Sequence, residues 1–85
     1  MTYAVVFRKA PLRKLASLPV PERRRLFTAI NRLAEDPAAG TPLKGKLGGL
    51  FRLRVGDWRV IYEVNDLPEP SVIVRSLGPR GDIYK

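Results

Sequence analysis

The sequence predicts an α+β fold in which a two-helix hairpin packs on one face of a small, mostly antiparallel four-stranded sheet. Three observations carry that prediction. Apolar residues recur at helical spacing between Leu12 and Ala34, the period changes to two from Leu50 onward, and a short β-branched and aromatic run opens the chain. Eighty-five residues support one modest core, so residues 1–85 are expected to form a single domain, and any active site must be shallow.

Tyr3 to Phe7 reads as a buried first strand. Leu12, Leu15, Ala16 and Leu18 then form a helical stripe, with Pro11 tolerable only in a first turn, and this helix ends before Pro19. Val20-Pro21-Glu22 opens a second helix, with proline near the first helical position and an acid in the first turn. Leu26, Ile30, Leu33 and Ala34 make its apolar face, Arg24, Arg25 and Arg32 its basic one, and Asp36-Pro37 stops it. Residues 37–49 hold Gly40, Pro42, Gly45, Gly48 and Gly49, the composition of a connecting loop. Lys44-Gly45-Lys46 within it could face a phosphate, although the spacing fits no nucleotide-binding loop. The last strand is expected from Val72 to Leu77, after a turn containing Pro68 and Pro70, and Asp82 to Lys85 form a short tail.

Between these lies the clearest local pattern. Phe51, Leu53 and Val55 alternate with Arg52 and Arg54, Gly56-Asp57 supplies a two-residue turn, and Trp58, Val60, Tyr62 and Val64 resume the apolar face. Such a turn fixes the register: Val55 opposite Trp58, Arg54 opposite Arg59, Leu53 opposite Val60, Arg52 opposite Ile61. The apolar set then lies beneath the helices, and Arg52, Arg54 and Arg59 converge on the other face. Like charges directly across a ladder cost roughly 0.2–1 kcal/mol, and guanidiniums cannot escape by losing protons. Stability alone would not select that arrangement, whereas a phosphate fits the planar fork of donors. Glu63 falls on the same side and can satisfy one arginine, not three. Trp58 and Tyr62 face the core, which makes them packing residues and not base-stacking platforms.

Sixteen Lys and Arg against eight Asp and Glu give a formal charge of +8, and the first 35 residues carry eight of the bases with two acids. A basic face of this kind attracts polyanions through counterion release; a charged surface that serves solubility is the plainer reading. The chain has no cysteine and no histidine, which excludes disulfides, thiol nucleophiles, imidazole acid–base chemistry and zinc sites of the usual kind. No apolar run reaches the ~18 residues of a membrane span, and the first seven residues do not make a signal peptide. A cytoplasmic protein is therefore expected, without membrane association.

The segment Leu50-Phe51-Arg52-Leu53-Arg54-Val55-Gly56-Asp57-Trp58-Arg59-Val60-Ile61-Tyr62, followed by Gly78-Pro79-Arg80-Gly81-Asp82-Ile83-Tyr84, resembles the toxins of the RelE/ParE superfamily, RelE branch. Leu33-Ala34-Glu35-Asp36-Pro37 and Leu43-Lys44-Gly45 agree with its helix–loop segment, so the likeness spans nearly the whole chain. The resemblance implies a RelE-like, microbial ribonuclease-type fold and a type II toxin that enters the ribosomal A site and cuts messenger RNA without a cofactor or metal. It also implies a cognate antitoxin that wraps the toxin and carries the complex to operator DNA. Position by position, Arg52 and Arg54 match the basic pair on the second strand, and Arg59 matches the phosphate-binding arginine. Arg80 matches the basic residue assigned to leaving-group protonation or charge stabilisation, and Tyr84 matches the tyrosine that orients the substrate. Lys44, Lys46, Arg24 and Arg25 are the candidate RNA- and ribosome-binding residues. Pro79 departs from the histidine or lysine frequent there, and the chain ends one residue past Tyr84, without the further C-terminal helix of some members. The chemistry implied is attack of the 2′-hydroxyl on the adjacent phosphate, leaving a 2′,3′-cyclic phosphate and a 5′-hydroxyl. Two alternatives stand beside it: gyrase inhibition of the ParE type, whose members generally lack the full basic set, and an inactive antitoxin-binding module, consistent with Pro79.

Overall fold

The computed structural model describes residues 2–45 and 48–79. Two helices cover one face of a mixed five-stranded sheet. The elements in chain order are β1 (Ala4–Phe7), α1 (Lys9–Ser17), α2 (Val20–Asn31), β2 (Thr41–Pro42), β3 (Leu50–Val55), β4 (Trp58–Asn65) and β5 (Ser71–Pro79), and the strand order across the sheet is β1-β5-β4-β3-β2. β1 runs parallel to β5, with Ala4 opposite Ser71 and Phe7 opposite Val74, and the other pairings are antiparallel.

The helices begin and end where proline dictates. Pro11 is the third residue of α1, where its missing N–H would have had no helical partner, and it is buried. Leu18 is extended, at φ −81° and ψ 153°, as the residue before Pro19 must be. Pro21 and Glu22 occupy the first turn of α2, the acid near the positive end of the helix dipole. Beyond Asn31 the chain tightens into a 3₁₀ turn over Arg32–Ala34 and a second over Pro37–Ala39.

The core forms where the apolar stripe of α2 meets the inner face of β3, β4 and β5. Leu26, Ile30 and Leu33 of the helix side and Val60, Tyr62, Val72 and Val74 of the sheet are fully buried. Leu15, Val55 and Leu77 complete one cluster; Leu33, Tyr62 and Val72 form a second, and Leu53 packs against both. Trp58 lies on this inner face, half-buried, with the Lys14 ammonium 5.8 Å from its ring centre.

The sheet has one strand more than the four expected from the sequence. Thr41 and Pro42, in the segment read as a connector, pair with Arg52 and Phe51 at the sheet edge. Proline is admissible there because an edge strand has one side without ladder partners. Gly40 lets the chain arrive: a Cβ at that position would stand 2.7 Å from both the Arg52 carbonyl oxygen and the Tyr62 hydroxyl. The final strand is also longer than expected, running from Ser71 through Pro79 with an irregularity opposite Ile61 and Tyr62.

The hairpin register is the one the two-residue turn dictates, from Val55 opposite Trp58 to Leu50 opposite Glu63. Gly56 has φ +60° and, among the described residues, no non-glycine has positive φ, so the turn follows the type II′ pattern, whose twist matches that of the strands.

Candidate functional site

The β3–β4 hairpin brings three arginines to the sheet face turned away from the helices. Alternation sends Phe51, Leu53 and Val55 inward, so Arg52 and Arg54 point outward, and Arg59 joins them from β4 directly opposite Arg54. In a hairpin closed by two residues, Val55–Trp58 is the hydrogen-bonded pair and Arg54–Arg59 the next, non-hydrogen-bonded one, where facing side chains come closest. Two permanent cations therefore sit at the tightest spacing a ladder provides.

Arg59 is 7% exposed, the one charged side chain buried among the described residues. Its guanidinium donates to the Trp58 carbonyl at 3.4 Å, a long bond to a neutral acceptor, and among the described residues it has no carboxylate partner. Its neighbour on β5 is Gly78, which leaves that flank free of a side chain. Arg54 is exposed and likewise without a carboxylate partner among the described residues. Arg52 is half-buried beside Thr41 of β2 and has an interaction partner of its own.

Two acids close in sequence to this face, Glu63 and Asp66, have partners of their own. Glu63, expected to satisfy one of the three arginines, instead accepts from Arg75 at 2.9 Å. Arg75 lies two residues along β5 from Ile73, which faces Glu63, and so reaches it diagonally. Asp66 accepts a 2.7 Å hydrogen bond from the Tyr3 hydroxyl, and that bond to the carboxylate raises the Tyr3 pKa above its ordinary value of 10.0.

The remaining sequence-designated residues divide between two places. Arg24 and Arg25 lie exposed on α2, on the helix side of the sheet, and Lys44 lies exposed in the loop after β2. None of these joins the arginine face. Lys46, Arg80 and Tyr84 fall outside the described residues. Two arginines not designated from the sequence matter to the surface: Arg75, which removes Glu63 from competition, and Arg32. Arg32 follows Arg25 by seven residues and borders the same groove, a relation the helical period carried.

A two-helix cap on a mixed sheet, with an arginine-bearing hairpin at its centre, defines a RelE-type toxin domain. A family model described as ParE toxin of type II toxin-antitoxin system, parDE, matches residues 12–84, and the chain belongs to that family. Within the RelE/ParE superfamily it falls in the RelE branch. Toxin RelG of Mycobacterium tuberculosis (strain ATCC 25618 / H37Rv) is 31% identical over 91 residues, covering 100% of this chain and 99% of that protein. Among solved structures, the RelBE2 toxin–antitoxin complex of Mycobacterium tuberculosis superposes with a TM-score of 0.82 at 28% identity, covering 94% of this chain and 100% of that one. The archaeal RelE–RelB complex of Pyrococcus horikoshii OT3 gives a TM-score of 0.79 at 35% identity, covering 96% and 99%.

Proposed function

We propose that this type II toxin is a ribosome-dependent endoribonuclease that cuts messenger RNA in the A site by 2′-hydroxyl attack on the adjacent phosphate. The observation that carries the reading is Arg59: a buried cation facing Arg54 across the ladder, without a carboxylate partner among the described residues, on a face where Glu63 is already paired with Arg75. A bound phosphate would supply the missing counter-charge. Two guanidinium forks at ladder spacing can hold its non-bridging oxygens and stabilise the negative charge that accumulates on the phosphorane-like transition state. Arg52 extends the same row by one pleat and orients the strand so that nucleophile and leaving oxygen lie in line. Arg80, near the leaving oxygen, and Tyr84, orienting the substrate or removing the proton, complete the set by resemblance. Lys44 adds a further cation toward ribosome or message.

The partner follows from the relatives. The Mycobacterium tuberculosis and Pyrococcus horikoshii structures are toxin–antitoxin complexes, and a cognate antitoxin of RelB type is proposed here. Its segments would be acidic or amphipathic, covering the basic helices or the arginine face, and the complex would reach operator DNA through the antitoxin.

Induction of the chain in cells, with mapping of RNA 5′ ends, tests the reading. Cuts within codons of translated messages support it. An SOS response with intact messages would assign the toxin to gyrase inhibition, and normal growth would make it an inert antitoxin-binding module.

A further inference from the structure

We infer that the groove between α2 and the uncovered end of β3 is a second RNA-backbone site, holding phosphates that flank the step being cut. The inference rests on the nuclease reading above. Arg25 on α2 and Arg32, which caps that helix at its C-terminal end with helical dihedrals, stand seven residues apart, close to two full turns, and so share one face. That face borders a groove of about 460 Å³ lined by Arg24, Arg25, Arg32, Ala29 and Val55, with no carboxylate in its lining. All three arginines are exposed, and none is in an ion pair among the described residues.

The groove is continuous with the hairpin. One Arg25 guanidinium nitrogen lies 3.2 Å from where a Cβ on Gly56 would stand, so the side chain overhangs the β3–β4 turn. Ala29 and Arg32 also line the adjoining depression, together with Leu53 and Arg54. β2 covers only Phe51 and Arg52, which leaves Arg54 at an open sheet edge. The cationic path thus runs from α2 through Arg32 to Arg54, and Arg54 faces Arg59. Glu35 and Asp36 also line that depression, and their repulsion of phosphate would keep a polyanion against Arg32 and Arg54.

RNA is favoured over an acidic peptide because the path is anchored at the proposed scissile phosphate. A strand held there must continue beyond it, and this groove is the adjoining exit lined by guanidiniums, whose planar forks match phosphate oxygens.

The test is equilibrium binding of a labelled single-stranded RNA oligonucleotide to the purified full chain across a salt series, using matched double variants. Arg25→Gln with Arg32→Gln removes two groove charges; Lys9→Gln with Arg13→Gln removes two from the exposed surface of α1. The groove variant is expected to flatten the log–log salt slope by about 1.4, two phosphate contacts at roughly 0.7 each, and the α1 variant by much less. Arg25→Lys with Arg32→Lys should restore most of the slope, which excludes misfolding as the cause. Equal slopes for the two Gln variants would overturn the inference. So would loss of affinity for a poly-glutamate peptide with unchanged RNA binding, which would assign the groove to a protein partner. Because binding is read without cleavage, a slope difference in a chain that cuts no message would fail the nuclease reading and leave the groove standing.

Discussion

Gly40 donates its amide N–H to the Tyr62 hydroxyl at 3.0 Å, and the same hydroxyl donates to the Pro37 carbonyl at 2.7 Å. One fully buried phenol thus ties the chain ahead of β2 to the middle of the sheet, immediately beside Arg52. Phe51 stacks on the same ring at 5.3 Å between centroids. Tyr62→Phe keeps the ring and removes only these two bonds, leaving partly buried backbone groups unsatisfied. Urea unfolding should show a loss of about 1–3 kcal/mol with an unchanged m-value.

The same hydroxyl sets an alkaline limit. Burial pushes the Tyr62 pKa above its ordinary 10.0, with Asp36 adding to the rise and the Gly40 N–H opposing it. A raised folded-state pKa means that the unfolded chain loses this proton first, so the contribution is fully present below about pH 10 and is lost as pH rises through the folded value. Stability measured from neutrality to strongly alkaline pH should fall more steeply in the wild type than in Tyr62→Phe above pH 10. Parallel curves would separate the phenol from the effect.

Arg54 and Arg59 oppose each other at a structural cost that function would justify. Arg54→Thr removes the repulsion and introduces a residue suited to strands, so it should raise stability by roughly 0.2–1 kcal/mol while lowering ribosome-dependent cleavage. Thermal melts beside a primer-extension assay of cut messages would read both. A variant that lost stability and kept activity would contradict the role given to this pair.

Arg59→Ala should reduce cleavage by orders of magnitude while leaving antitoxin binding largely intact, and Arg59→Lys should also impair cleavage, because the planar fork is lost. Arg80→Ala should do the same. Single-turnover cutting on programmed ribosomes measures the loss, and co-purification with the antitoxin checks the fold.

Gly56→Ala forces a side chain onto φ +60°, with its Cβ 3.2 Å from Arg25. A destabilisation of about 1 kcal/mol or more is expected from denaturant unfolding.

Much of the hairpin was legible because its signals are local. Gly56-Asp57 pins the register, and period-two alternation from Phe51 to Val64 assigns the faces, so the Arg54–Arg59 pairing could be read residue by residue. β2 could not. Two residues in a glycine- and proline-rich stretch have no period, and they pair because Tyr62, twenty-two positions from Gly40, holds the approach. The fate of Glu63 was hidden for a similar reason: its partner comes from β5, where the irregular register near Val74 is a property of the assembled sheet. The α2 groove was half visible, since Arg25 and Arg32 share a helical face in the sequence, while their nearness to the Gly56 turn depends on how the helix packs.

The parallel pairing of Ala4 with Ser71 joins the two ends of the described chain. Contacts of such long sequence separation close last and slowly, because most of the loop entropy is spent before they form. A nascent chain that has emitted β1, both helices and the arginine hairpin still lacks the strand that flanks Arg59 and supports β1. The arginine face is therefore complete only once β5 has been made and docked, so an antitoxin that reached the helices first would meet a toxin whose proposed phosphate site is still unfinished.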